Sequence, residues 1–188
     1  GPRQVMGMIA RLRDDGDASL PEIARSALLA LGAHLEALAG EIRTLERQLM
    51  VWHRADPTSQ RLETIPGVGL IPATALAASV SDPSVLKSGR EFAAFLGLVP
   101  RQNSSGGKDR LGRISNIGDR YLRKLLVVGA TSVIRRAGSN PTKTGAWVRS
   151  LMERKPARVV TVAMANKTAR IAWAVMTRGE TYRASPIA

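Results

Sequence analysis

The side chains best suited to chemistry stand together in Pro100-Arg101-Gln102-Asn103-Ser104-Ser105-Gly106-Gly107-Lys108-Asp109-Arg110-Leu111-Gly112-Arg113-Ile114-Ser115, where two serines meet two glycines in a field of cations. A serine hydroxyl attacking a phosphodiester needs open space around Oγ, which neighbouring glycines leave. It also needs positive charge for the pentacovalent transition state, which Arg and Lys supply. Lys108, Arg110 and Arg113 are the near cations. The same composition suits equally a flexible loop in which Ser and Gly only donate hydrogen bonds to a phosphate backbone.

Three further segments have the chemistry of anion binding. In Leu62-Glu63-Thr64-Ile65-Pro66-Gly67-Val68-Gly69-Leu70, followed by Ala73, Ala75, Leu76 and Ala77, the pattern reads as helix, tight glycine turn, helix. This is the helix-hairpin-helix pattern, in which Gly67 and Gly69 would let a phosphate approach the backbone at a helix N-terminus. The alternative is a glycine corner between two core helices. Next, Asn116, Gly118 and Asp119 offer helix-start chemistry, and Arg120, Arg123 and Lys124 cluster near that start. Cations at a helix N-terminus oppose the helix dipole, which points to an anionic partner or else to a solvated face. In the last long helix Asn166, Lys167 and Arg170 recur beside an apolar side containing Val160, Met164, Ile171 and Val175. Trp147 and Trp173 are read as core residues.

The elements that must position these groups follow from periodicity and breakers. Val5, Met8, Ile9 and Leu12 predict a short first helix, broken at Asp14-Asp15-Gly16-Asp17. Ser19, Pro21 and Glu22 form a capping-box start. From there Leu28, Leu31, Leu35, Leu38, Ile42, Leu45, Leu49 and Trp52 alternate steps of three and four, the seam of a coiled coil. A rod of roughly 50 Å ending at Asp56-Pro57 cannot bury its own seam. A second copy of the chain is the natural cover, the downstream domain the alternative. His34 and His53 are both read as surface residues of this arm. Beyond Ser59 the heptad stops and the pattern predicts helices at about 59–64, 70–81, 89–96, 117–137, 145–154 and 157–178, a loop from about 100 to 116, and a loose tail beyond Gly179.

The balance of 28 Lys and Arg against 15 Asp and Glu gives a formal net charge of +13, which attracts polyanions, nucleic acid first among them. Cysteine is absent, excluding a disulfide framework and a thiolate zinc site. No apolar run reaches the ~18 residues of a membrane span, and no helix pairs an aromatic-leucine face with a lysine face. The expectation is a cytoplasmic protein without membrane contact. The start Gly1-Pro2-Arg3, lacking Met, has the look of a cleaved-tag scar, so a piece of a longer protein is expected.

Ile65-Pro66-Gly67-Val68-Gly69, Ser88-Gly89-Arg90, Phe92 to Gln102, Ser104 to Lys108, Arg110-Leu111-Gly112, Gly118 to Arg123, Ala165-Asn166-Lys167 and Ala169 to Trp173 together resemble the C-terminal transposase domain of the DEDD-type, Piv-like insertion-sequence transposases, also called bridge-RNA-guided recombinases. The likeness covers most of residues 59–183, and the heptad arm resembles the coiled coil that precedes this domain in that family. It implies a serine that attacks DNA and becomes joined to it through a phosphate, beside a metal-dependent RuvC-like domain. The serine directly before a glycine maps onto Ser105, with Ser104 as runner-up because the doubled serine lets the alignment slip by one. No quartet of spaced carboxylates precedes the arm, so no metal ligands are assigned, no cofactor is expected in this chain, and Mg2+ belongs only to the absent RuvC-like half.

The expected architecture is mainly α: residues 1–18 as tag scar and short helix, 19–56 as a coiled-coil arm, and 57–188 as a compact helical domain with the helix-hairpin-helix motif and the serine loop. The expected partners are DNA, a guide RNA, and a second copy of the chain, as a homodimer or higher oligomer. The expected nucleic-acid contacts are Gly67, Gly69, Lys108, Arg110, Arg113, Arg120, Arg123, Lys124, Asn166, Lys167 and Arg170. The competing functions are a recombinase domain supplying a serine nucleophile, a non-catalytic helix-hairpin-helix binding and dimerisation module, and a coiled-coil assembly protein whose basic domain tethers RNA.

Overall fold

A computed structural model describes residues 2–14, 20–102, 111–115, 117–139 and 141–185, which divide into two compact units between Met50 and Val51. Ser104, Ser105, Lys108 and Arg110 lie outside the described residues. Among the described residues no helix is long and apolar enough to cross a membrane.

The first unit contains α1 (Pro2–Asp14) and most of α2 (Glu22–Ala55). The two helices cross where α2 has no side chain: Ile9 is buried against Gly32, and a Cβ there would come within 2.6 Å of its Cγ2. Both guanidinium nitrogens of Arg13 reach the Glu36 carboxylate at 3.0 and 2.9 Å, and Arg25 donates to the Leu12 carbonyl at 2.8 Å. This crossing uses a face of α2 beside the leucine seam. The seam itself is left uncovered, with Leu28, Leu31, Leu35, Leu38, Ile42 and Leu45 exposed by 40 to 61%.

The second unit starts with the end of α2. Asp56 takes an extended conformation, as a residue before proline must, and its carboxylate caps α3 (Pro57–Glu63) by accepting from the Ser59 N–H at 2.6 Å. This reversal corrects the surface reading of His53. The ring is 5% exposed, with Nδ1 2.7 Å from the Ser59 hydroxyl and Nε2 2.9 Å from Glu63 Oε2. Neither partner is a helical neighbour of His53, and both arrive only because the chain folds back at Pro57.

A tight turn joins α3 to α4 (Leu70–Ser79), and the two pack together, burying Leu62, Ile65, Val68, Ala73 and Leu76. A 3-10 turn at Pro83–Val85 leads to α5 (Gly89–Phe95), whose N-terminus is closed twice: Ser88 Oγ accepts from the Glu91 N–H and the Glu91 carboxylate accepts from the Lys87 N–H. The stretch expected as loop contains an antiparallel hairpin, β1 (Pro100–Gln102) and β2 (Leu111–Ile114), pairing Pro100 with Ile114 and Gln102 with Leu111. The strands are too short, and β1 too exposed, to show an alternating pattern. Helices α6 (Arg120–Arg135), α7 (Lys143–Met152) and α8 (Ala157–Arg178) follow, the first two capped by Asp119 and Thr142.

Helix α8 is the spine, packing on α3, α5, α6 and α7. Val160, Met164, Ala165, Ala169, Ala172 and Val175 form its buried side, and the Trp173 indole N–H donates to the carbonyls of Pro83 and Leu86. The segment after Gly179 is tied down rather than loose. Tyr182 N–H donates to Thr64 Oγ1 at 2.9 Å, and the Ser185 carbonyl accepts from the Lys143 N–H at 3.1 Å. Such backbone ties leave no trace in residue type.

Gly67 has φ +85, and a Cβ on it would lie 2.7 Å from the Gly129 carbonyl oxygen. A Cβ on Gly129 would run into the Gly67 carbonyl in turn, so the turn and α6 touch backbone to backbone. Gly129→Ala is therefore expected to destabilise the domain by about 1–3 kcal/mol or more through overpacking. Urea unfolding followed by circular dichroism measures this, and an unchanged midpoint would show that the approach can relax freely.

Candidate nucleic-acid interface

The outward side of α8 is organised in rows. Arg158, Val162, Asn166, Arg170, Ala174 and Arg178 follow one another at four-residue steps, and the adjacent row carries Val159, Ala163, Lys167 and Ile171. Both rows line a groove of about 1560 Å³. Its other walls come from Ser88 to Arg90 at the start of α5, Pro100 of β1, Gly112 to Ile114 of β2, Trp147 of α7, and Glu180 to Arg183 of the C-terminal segment.

The charge in this groove is one-sided. Among the described residues that line it, Arg90, Arg113, Arg158, Lys167, Arg170, Arg178 and Arg183 face a single carboxylate, Glu180. The Lys167 ammonium sits 4.6 Å from the centroid of the Trp147 ring, a cation–π contact. Partial burial, and then the neighbouring Arg170 charge, hold the Lys167 pKa below the ordinary lysine value. An anion entering between Lys167 and Arg170 would relieve that repulsion. Asn166 is held in place by donating to the Leu98 carbonyl at 3.2 Å, which ties α8 to the chain leading into β1.

The sequence-predicted residues separate on this map. Arg113, Asn166, Lys167 and Arg170 come together as groove lining. Arg120 and Lys124 are exposed on α6 and do not line it. Arg123 is engaged within the fold, its Nη1 donating to the Leu96 and Ile117 carbonyls at 3.0 and 3.2 Å. Gly67 is pressed on the Gly129 backbone, whereas Gly69 caps α4 with open space where its Cβ would be. Trp147 and Trp173 are half-buried, packing on the core and lining the groove at once. The residues missed from sequence are Arg90, Arg158, Arg178 and Arg183. For Arg158 and Arg178 the signal was present in the four-residue row that also contains Asn166 and Arg170.

The Ser59–His53–Glu63 chain has the residue types of a hydrolytic triad, but Ser59 is fully buried, closed to a substrate, while Glu63 is exposed. It acts as a polar joint between the end of α2 and α3. Among the described residues no three His, Asp or Glu side chains come together.

Residues 59–145 match the model of the Transposase IS116/IS110/IS902 family. The chain is 48% identical over 168 residues to a Sinorhizobium fredii protein with the transposase designation y4pF/y4sB, covering 89% of the chain and 43% of that relative. It is 42% identical over 163 residues to the transposase for insertion sequence element IS1328 of Yersinia enterocolitica, covering 87% and 49%. It is 43% identical over 138 residues to the transposase for insertion sequence element IS1111A of Coxiella burnetii, covering 73% and 38%. The chain thus spans about half the length, or less, of these curated relatives. The chain is thus similar to transposases of this family over part of their length.

The different settings of two neighbouring arginines give a test. Arg123→Ala leaves the Leu96 and Ile117 carbonyls without their donor and is expected to cost about 1–3 kcal/mol. Arg120→Ala, at an exposed position, is expected to stay within about 0.5 kcal/mol. Equal unfolding midpoints for the two variants would show that Arg123 contributes nothing to the fold.

Proposed function

We propose that this chain is the region of an insertion-sequence transposase that binds DNA and supplies its serine nucleophile, Ser105, with Ser104 as the runner-up. The observation that carries the reading is the one-sided basic groove, to which both strands flanking residues 103–110 contribute lining residues. The Ser-Ser-Gly-Gly-Lys run stands in sequence between these two strands. In the proposed step the serine Oγ attacks phosphorus, the bond from phosphorus to the leaving oxygen breaks, and the serine proton ends on the departing hydroxyl. DNA stays joined to the serine through the phosphate, and positive charge from the groove and the loop stabilises the transition state.

The remaining parts of the proposal concern the longer protein. A guide RNA and a RuvC-like domain requiring Mg2+ follow from the family resemblance, and that domain would lie in the half of the protein outside this chain. The chain by itself is then expected to bind nucleic acid and to dimerise without cutting. The uncovered leucine seam of α2 supports dimerisation, because α1 crosses a different face and leaves the apolar row in water. The non-catalytic alternative rests on α4, whose N-terminus has no side-chain cap and starts at the open Gly69, a setting fit for a phosphate.

Ser105→Ala in the full-length transposase is expected to abolish strand transfer and the covalent protein–DNA adduct while leaving nucleic-acid affinity intact. If Ser104→Ala shows the defect instead, the runner-up is the nucleophile. Persistence of the adduct in both variants would refute the serine mechanism and leave the loop as a phosphate clamp. Leu35→Asp or Leu38→Asp, each placing a charge in the seam, is expected to halve the mass found by sedimentation equilibrium. A mass unaffected by either change would show that the seam does not hold the copies together.

A further inference from the structure

We infer that the groove along α8 takes an unpaired nucleic-acid strand, with bases laid on its apolar floor and phosphates on its arginine rim. The inference rests on the transposase reading only for nucleic acid as the class of partner. It adds the form of that nucleic acid and the surface that holds it.

Two features of the groove have to be satisfied together. Its floor is apolar, built from Val162, Ala163, Ile171 and Ala174 with the half-buried indoles of Trp147 and Trp173. Its rim is cationic, with Arg158, Arg170 and Arg178 on one row of α8 and Arg90, Arg113 and Arg183 opposite. A duplex stacks its base faces on one another and shows phosphate and sugar outward. It would pair with the rim and leave the floor wet. An unpaired strand offers a base face and a phosphate at every nucleotide, which matches a basic groove with aromatic and apolar side chains at its base.

Dimensions and rigidity agree. From Arg158 to Arg178 the helix rises about 30 Å, room for several nucleotides. The wall opposite α8 is fixed, since the C-terminal segment is tied to Thr64 at Tyr182 and to Lys143 at Ser185. Arg158, Arg170 and Arg178 are exposed, so their phosphate contacts require no rearrangement of the fold. RNA and DNA share this chemistry, and an acidic peptide could pair with the rim but has no flat ring to cover the floor.

The test uses this chain with Trp52→Phe, so that of its 3 tryptophans only Trp147 and Trp173 report. Oligo(dT), oligo(U) and a duplex of equal length are titrated at fixed salt while indole fluorescence and anisotropy are read. The expected result is quenching by a single strand, binding about tenfold tighter than the duplex, and a loss of about tenfold for the single strands in Arg158→Ala/Arg170→Ala. Preference for oligo(U) or oligo(dT) assigns the strand as RNA or DNA, and either outcome upholds the inference. Equal binding of the duplex would overturn it, as would the absence of quenching or displacement of the strand by poly-glutamate at the same charge concentration. The adduct assay on the full-length protein reads the serine step independently, so failure here and failure there are distinguishable.

Discussion

The architecture of the second unit depends on a single helix being apolar on one side and cationic on the other. α8 buries Val160, Met164 and Val175 with Ala165, Ala169 and Ala172 between them, and full burial of each larger side chain stabilises by about 1.5–3 kcal/mol. The small residues let the neighbours come close. At Gly89 the start of α5 lies so near Arg170 that an added Cβ would sit 3.0 Å from its carbonyl oxygen. Because that inner contact sets the rotation of α8, it also aims Arg158, Lys167, Arg170 and Arg178 into the groove. Packing and the placing of the groove's charge are two consequences of the same register.

The outer side works against stability in the free protein. Seven cations share one groove with one carboxylate, and Lys167 is partly desolvated against Trp147 besides. Such an arrangement is favourable only when a polyanion occupies it, because the released repulsion then adds to the attraction. The arm presents a comparable situation in apolar terms, with a row of exposed leucines.

How much of this could be read from the residues follows their physics. Helices with a sustained period are legible to within a few positions, as with Glu22–Ala55 and with Ala157–Arg178 before Gly179, whereas the Ser19 capping box lies outside the described residues. The hairpin at 100–114 was not, since its exposed first strand and short second strand carry no alternation. His53 was misread because Ser59 and Glu63 reach it through a chain reversal, an effect of tertiary contact and not of spacing along one helix. The glycines of 67–69 were recognised as necessary, but Gly67 answers to a positive φ and the Gly129 backbone. Half of the groove was visible as Asn166, Lys167 and Arg170. The other half comes from five separate segments that only folding brings together.

On the proposed reading the nucleophile comes from residues 103–110, between the two groove-lining strands. Peptide mapping by mass spectrometry of the covalent complex formed by the full-length transposase tests it most directly. The expected result is a nucleotide attached through phosphate to the peptide containing Ser105. A nucleotide attached outside residues 103–110, on the arm or on any other residue, would contradict it.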